Sequence, residues 1–113
     1  MTPIYGLVGN FNTGEDMYNL SEKLEDNYDI HGNLASNNYL IELDQIAFYT
    51  KSRSYGLPKK NESYNELKNE LEDNNIDYYL VWGESKENNY LSNDFKEITN
   101  GSIKNLRIYS LKS

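Results

Sequence analysis

The sequence predicts an α/β domain, in which a short parallel sheet is flanked by helices and followed by an antiparallel hairpin. Helix and strand patterns alternate from residue 14 to residue 83, which favours parallel strands joined by right-handed crossovers. The block Ile76-Asp77-Tyr78-Tyr79-Leu80-Val81-Trp82-Gly83 is almost continuously apolar and ends on glycine, as is typical of a strand buried on both faces. We therefore expect a three-layer, Rossmann-like domain with parallel order 2-1-3 and the hairpin beyond the third strand.

The first helix is predicted over residues 14–27. Thr13 is a suitable N-cap, and acidic residues follow it in the first turn, where they favour the positive end of the helix dipole. Apolar side chains then recur at spacings of three and four and form one stripe. They are Met17, Leu20, Leu24 and Tyr28.

A second helix-strand unit follows the turn after residue 28. Residues 33–36 form a short predicted strand that leads into an Asn37-Asn38 turn. Residues 39–50 carry apolar side chains on more than one face, which suits a helix packed against a sheet. Residues 53–58 form a weak strand that ends at a proline.

The remaining elements alternate between polar and apolar segments. An outer helix with a narrow apolar stripe is predicted over residues 62–74. The central strand is predicted over residues 76–83. Residues 84–93 predict a polar loop with one helical turn near Tyr90-Leu91. Strands over 95–99 and 103–112 flank Asn100-Gly101, a strong hairpin-turn signal.

The composition predicts a single domain over residues 1–113, with residues 1–12 as a flexible lead-in. The formal net charge is -7, and Lys59-Lys60 is the only adjacent basic pair, so the electrostatic footprint of a nucleic-acid partner is missing. Cysteine is absent, which excludes disulfides and thiolate chemistry. No apolar run reaches the roughly 20 residues that span a bilayer.

The best candidate for a ligand crevice lies at the carboxyl ends of the parallel strands, where open α/β sheets bind their ligands. The residues that follow the three strands are Asn37, Asn38, Gly56, Glu84 and Ser85. Tyrosines near that edge, such as Tyr39 and Tyr55, are able to stack on sugar rings.

Other chemistry is poorly supported by the residues. The stretch from Gly9 to Gly14 resembles the start of a phosphate-binding loop, but Glu15-Asp16 replaces the required Lys-Ser/Thr pair. His31 has no partners at a recognisable ligand or catalytic spacing, and we expect an exposed turn residue. The acidic end of the helix over 62–74 lacks the ligand order of a calcium loop. We therefore predict no catalytic residue, no cofactor site and no metal site.

The order of five segments resembles a known family. The segments are Gly32-Asn33-Leu34-Ala35-Ser36-Asn37, Ile46-Ala47-Phe48-Tyr49-Thr50, Ser54-Tyr55-Gly56-Leu57-Pro58, residues 76–83, and Leu106-Arg107-Ile108-Tyr109-Ser110-Leu111-Lys112. In this order they resemble the carboxyl-terminal soluble domain of archaeal multispanning membrane glycosyltransferases of the dolichyl-phosphate-mannose or arabinosyltransferase-like type. The likeness extends over nearly the whole chain from about Leu20.

The resemblance implies an accessory role at the extracytoplasmic face of the cell membrane. In that family the membrane part carries the lipid-phosphate-sugar donor site and the catalytic acid, and no residue of this chain matches them. The implied partner is the membrane-embedded portion of the same polypeptide or complex, and a glycan or protein acceptor is a further expected contact.

Two alternatives come from the residues themselves. The first is a small stand-alone module that binds a sugar or a nucleotide in the crevice near Asn37, Gly56 and Glu84. The second is a protein-interaction domain that uses its acidic helix, with Glu66 and Glu70 as the charged contacts.

Overall fold

The structure, a computed structural model, describes residues 14–59, 63–83, 87–99, 103 and 105–111. The predicted lead-in over 1–12, the Thr13 cap and the Asn100-Gly101 turn lie outside these residues. The elements, in chain order, are α1 (Gly14–Tyr28), β1 (Asn33–Ser36), α2 (Leu40–Tyr49), β2 (Arg53–Gly56), α3 (Tyr64–Asp73), β3 (Tyr78–Trp82), α4 (Glu87–Asp94), β4 (Lys96–Glu97) and β5 (Leu106–Ser110).

The five strands form one mixed sheet in the order β2-β1-β3-β5-β4. Strand β1 pairs in parallel with β2 on one side and with β3 on the other, so the predicted parallel order 2-1-3 is confirmed. Strand β5 is antiparallel to both β3 and β4. The last strand of the chain therefore adjoins the parallel part, and β4 is left at the edge, a detail that the sequence does not predict.

Helices cover both faces of the sheet, as the predicted three-layer arrangement requires. Helices α1 and α2 bury Leu24 and Leu43 against one face, together with Leu80 of β3. Helices α3 and α4 bury Leu71 and Leu91 against the other face. The described residues thus form a helix-sheet-helix sandwich with a separate apolar core on each side of the sheet.

Strand β3 supplies side chains to both cores, and all five of its residues are buried. Tyr78, Leu80 and Trp82 point toward α1 and α2, whereas Tyr79 and Val81 point toward α3 and α4. This alternation follows from the two-residue period of a strand. The prediction that the 76–83 block contains a strand buried on both faces is confirmed.

Helix α4 is longer than the single turn predicted near Tyr90-Leu91. Its sequence is largely polar, and its inward face consists of Leu91 and the buried Asn88. The Tyr109 hydroxyl of β5 donates to Asn88 Oδ1 over 2.9 Å. A polar residue therefore occupies a core-facing helix position because the sheet provides its partner, and apolar periodicity alone does not reveal such a helix.

His31 is only partly exposed, which corrects the expected exposed turn residue. Its Nδ1 lies 2.7 Å from the carbonyl oxygen of Thr50. Its Nε2 lies 3.5 Å from Glu25 Oε2 and 3.4 Å from Asp29 Oδ1. Because a carbonyl oxygen only accepts, Nδ1 is the donor, and the ring links the end of α1 to the end of α2.

None of the described helices is long and apolar enough to cross a lipid bilayer.

The start of β1 depends on a glycine that has no room for a side chain. Gly32 has a φ of +124°, and a Cβ atom there would lie 2.1 Å from Asp77 Oδ2. The same Asp77 oxygen accepts the N–H of Asn33 over 2.8 Å. Gly32 thus allows the Asp77 carboxylate to bind at the point where β1 and β3 begin to pair.

Gly32→Ala should destabilise the domain by about 3 kcal/mol, because it adds backbone strain to a steric clash with a hydrogen-bonded carboxylate. Gly83→Ala is the matched control, since Gly83 also has a positive φ, +74°, but no atom of the described residues lies within 4 Å of the added Cβ. The control should cost only about 1 kcal/mol. Urea unfolding of both variants measures the difference, and equal losses would contradict the role of Asp77.

Candidate functional site

The predicted crevice begins at Asn37, and this residue is part of the sheet. Its backbone N–H donates to the carbonyl oxygen of Leu80 over 3.0 Å. Its side-chain Oδ1 accepts the N–H of Trp82 over 2.8 Å, and its Nδ2 donates to the Trp82 carbonyl over 3.2 Å. The side-chain amide of Asn37 therefore binds the N–H and the C=O of Trp82, as the backbone of a longer β1 would otherwise do.

Asn38 forms the turn between β1 and α2, as predicted. Its Oδ1 accepts the N–H of Tyr39 over 2.9 Å, and its carbonyl accepts the Ser36 hydroxyl over 2.7 Å. Tyr39 has a left-handed backbone with a φ of 60°, and its ring meets the Trp82 ring edge-to-face at 5.7 Å between centroids. The turn thus aims Tyr39 at the core, which leaves it poorly placed to stack on a sugar.

Gly56 is buried at the end of β2, where the pairing with β1 is irregular. Leu34 pairs with Ser54, whereas Ala35 pairs with Gly56, so Tyr55 is an extra residue in β2. A bulge of this kind redirects a side chain. Gly56 itself has a φ of +102°, a conformation that favours glycine.

The remaining two residues of the predicted crevice, Glu84 and Ser85, lie outside the described residues. The structure brings the Asn37 and Trp82 ends of β1 and β3 together, and it uses the Asn37 side chain to do so. Within the described residues, the edge thus has Asn37 and Tyr39 turned inward and Asn38 exposed in the turn.

A depression of about 470 Å³ lies beside the bulge, on the face of the sheet that α3 covers. It is lined mainly by polar side chains of β2, α3 and the residues that follow each of them. They are Tyr55, Lys59, Glu66, Asn69, Glu70, Asp73 and Asn74. The sequence predicts Tyr55 and the acidic helix as separate features, and the structure brings them into one place.

The floor of this depression is the carboxylate of Glu70, which is only 8 % exposed. It accepts the backbone N–H of Lys59 over 2.9 Å and 2.8 Å, one distance for each oxygen. It also accepts the hydroxyl of Tyr55 in a short hydrogen bond. Glu70 therefore fastens the chain that leaves β2 onto α3, and it is not a free surface charge for a protein partner.

Tyr55 acts as a hydrogen-bond donor throughout the physiological pH range. The hydrogen bond to Glu70, then burial and the Glu70 charge, raise the pKa of Tyr55 to about 12. Sequence reasoning missed this pair. The signal that could have revealed it is the position of Glu70, which follows Leu67 by three residues and so shares the buried face of α3.

A pair of stacked tyrosines, Tyr64 and Tyr90, fixes α4 to α3. The rings of Tyr64 and Tyr90 stack with 5.1 Å between centroids, and the Tyr64 hydroxyl donates to Asp94 Oδ2 over 2.6 Å. Burial, followed by the Asp94 hydrogen bond, raises the pKa of Tyr64. Lys68 Nζ lies 3.7 Å from the same Asp94 oxygen, so this cluster is a structural link between two helices.

Metal binding finds no support among the described residues. No group of three or more His, Asp or Glu side chains there is arranged to hold a metal ion. Chemically, the depression offers a neutral phenol, a buried carboxylate and amide groups. These suit hydrogen bonding to hydroxyl groups, whereas the carboxylates of Glu66, Glu70 and Asp73 outnumber the single ammonium group of Lys59 and would repel a phosphate.

Comparison of the chain with protein-family models, with curated proteins and with solved structures gave no match.

Asn37→Ala should destabilise the domain by about 2 kcal/mol, because it leaves two buried backbone groups of Trp82 without their partners. Asn38→Ala, at the neighbouring exposed position, is the control and should cost less than about 1 kcal/mol. Thermal or urea unfolding measures both. An Asn37→Ala variant as stable as the control would return Asn37 to the list of ligand-binding candidates.

The Tyr55–Glu70 pair should give a stability change in alkali. The folded chain holds the Tyr55 proton more tightly than the unfolded chain, in which tyrosine titrates near about 10. The pair therefore contributes fully below pH 10 and loses its contribution as the pH rises toward 12. Urea midpoints of the wild type and Tyr55→Phe should converge over this window.

Glu70→Gln provides the control for this pH effect, because it keeps the shape of the side chain and removes the charge that holds the Tyr55 proton. Its pH profile between 10 and 12 should be flatter than that of the wild type. A gap between wild type and Tyr55→Phe that stays constant across the window would contradict the proposed coupling.

Proposed function

We propose that this chain is a non-catalytic accessory domain of a membrane glycosyltransferase, located on the extracytoplasmic face of the cell membrane. The observation that supports this proposal most is where the five resembling segments lie. They coincide with β1, the end of α2, β2, β3 and β5. The resemblance therefore includes four of the five described strands, all but β4, and does not depend on one short motif.

The use of polar groups at the sheet edge also supports a scaffold role. The side chain of Asn37 binds the Trp82 backbone, and that of Asn38 binds the backbone of Tyr39. Glu70 binds Tyr55 and Lys59. These polar side chains are thus hydrogen-bonded within the fold, and we take this as support for a scaffold role.

The partner in this proposal is the membrane-embedded portion of the same polypeptide or complex. That portion would supply the donor-sugar site and the catalytic acid. The domain described here would stabilise it, or contact the acceptor glycan or protein as it reaches the active site.

A second candidate function is a stand-alone module that binds a sugar. The depression beside Tyr55 favours it, because aromatic, amide and carboxylate groups are the usual contacts of sugar hydroxyls and ring faces. Nucleotides are a weaker choice, since three carboxylates lie around the depression.

The proposal predicts that the purified chain neither transfers nor hydrolyses a lipid-linked sugar. The assay uses dolichyl-phosphate-mannose with acceptor glycan or peptide, and measurable turnover would overturn the proposal. Two-dimensional NMR spectra with added mannose should show no localised shifts, and shifts confined to Tyr55, Lys59 and Asn74 would favour the sugar-binding module.

The coding sequence that precedes Met1 offers an independent test. Several hydrophobic segments of about 20 residues, each long enough to cross a bilayer, would support the accessory role. A stop codon in the same frame directly upstream would exclude a membrane part that precedes the domain in the same polypeptide, and the partner would then have to be a separate subunit of a complex.

A further inference from the structure

Helix α2 exposes the large apolar side chains of Leu40, Ile41 and Phe48, and the last two are the most exposed. Phe48 is 78 % exposed and Ile41 is 71 % exposed. They are seven residues apart on one helix, so they project from the same side with a separation of about 10 Å along the axis. Exposed apolar residues that align in this way mark interaction sites more often than scattered ones do.

Polar residues lie between these two anchors. Asp44 is exposed and Gln45 is half-buried, and their positions in the helix fall between those of Ile41 and Phe48 on the same side. Among the described residues, Asp44 takes part in no ion pair. We refer to Ile41, Asp44, Gln45 and Phe48 as the α2 stripe, a surface with an apolar residue at each end and a carboxylate near its centre.

Helix α1 lies beside this stripe and contributes an aromatic side chain to the same surface. The ring of Tyr18 meets that of Tyr49 edge-to-face at 5.3 Å between centroids, and Tyr49 meets Phe48 in the same manner at 5.4 Å. Tyr18 is itself 48 % exposed. The aromatic row Tyr18, Tyr49 and Phe48 therefore links the two helices and widens the apolar surface.

We propose that the α2 stripe binds an amphipathic helix of a partner segment, with two apolar side chains two turns apart and a lysine or arginine between them. Such a helix would place its apolar residues on Ile41 and Phe48 and its basic residue on Asp44. A helix satisfies its own backbone hydrogen bonds, whereas an extended segment would press unpaired backbone groups onto apolar side chains. The inference rests on the proposed accessory role and identifies the surface that carries it out.

Charge favours this basic helix over three other possible partners, which are a second copy of the chain, residues 1–13 and a lipid bilayer. A second copy of the chain, related by a twofold axis across α2, would bring Asp44 close to the Asp44 of its mate. Residues 1–13 of the chain contain no basic side chain to place on Asp44. A bilayer with anionic head groups would be repelled by Glu42 and Asp44 and by a net charge of -7.

The test uses the full chain and two synthetic helical peptides of alanine-rich sequence. Both carry leucine at positions i and i+7, and they differ only in having lysine or glutamate at i+3 and i+4. The lysine peptide should bind about threefold more tightly than the glutamate peptide, as expected for one exposed ion pair. In Asp44→Lys this preference should reverse, and in Phe48→Ser binding should weaken about tenfold or more.

Matched controls lie on the opposite face of the sheet. Asp73→Lys makes the same charge change on α3, and Tyr90→Ser removes an exposed aromatic ring from α4. Both should leave peptide binding unchanged, whereas equal effects from the controls would overturn the assignment to α2. NMR shift mapping with the lysine peptide should locate the change at Ile41, Asp44 and Phe48.

Three further outcomes would replace the proposed partner. Concentration-dependent dimerisation that Phe48→Ser abolishes would assign the stripe to a second copy. Much tighter peptide binding by a chain that starts at Gly14 would assign it to residues 1–13. Binding to anionic phospholipid vesicles without binding to either peptide would assign it to a membrane. Each result leaves the glycosyltransferase proposal standing, since sugar turnover by the chain tests that proposal separately.

Discussion

The complete burial of β3 is the constraint on which the rest of the domain depends. This strand has a parallel neighbour on one side, an antiparallel neighbour on the other and a helical layer over each face. Every backbone group of such a strand must find its partner within the sheet, because water does not reach it. Strand β5 pairs along the whole of β3, and the Asn37 amide binds the backbone of Trp82 at the end of the strand. The Asp77 carboxylate, just before β3, binds the first N–H of the neighbouring strand β1.

Much of the architecture could be predicted from the sequence, because apolar periodicity directly reports burial. The alternating helices and strands, the parallel order and the two-faced character of β3 all follow from it. Helix α4 could not be found in this way, since its core-facing positions include Asn88, whose partner Tyr109 lies in another element. The predicted strands over 95–99 and 103–112 are also longer than β4 and β5. A strand ends where its neighbour stops pairing with it, and this depends on two segments of the chain and not on one.

The candidate site was harder to predict than the fold, for a related reason. Position at a strand end singled out Asn37 and Gly56, but position does not reveal whether a polar side chain faces solvent or completes the sheet. The side chain of Asn37 completes it. Glu70, conversely, looked like one of several surface acids, although its place on the inward face of α3 makes it the anchor of the chain after β2. The bulge that turns Tyr55 toward Glu70 depends on the register of two strands, which a single sequence does not specify.

Trp82 is the only tryptophan in the chain, and its position makes its fluorescence informative. Its backbone is held by Asn37 and its ring touches Tyr39, so one indole lies at the junction of β1, β3 and the start of α2. Its emission wavelength and its energy transfer from neighbouring tyrosines report local opening at this edge of the sheet. The protein thus contains its own optical probe at the edge where α/β domains usually bind their ligands.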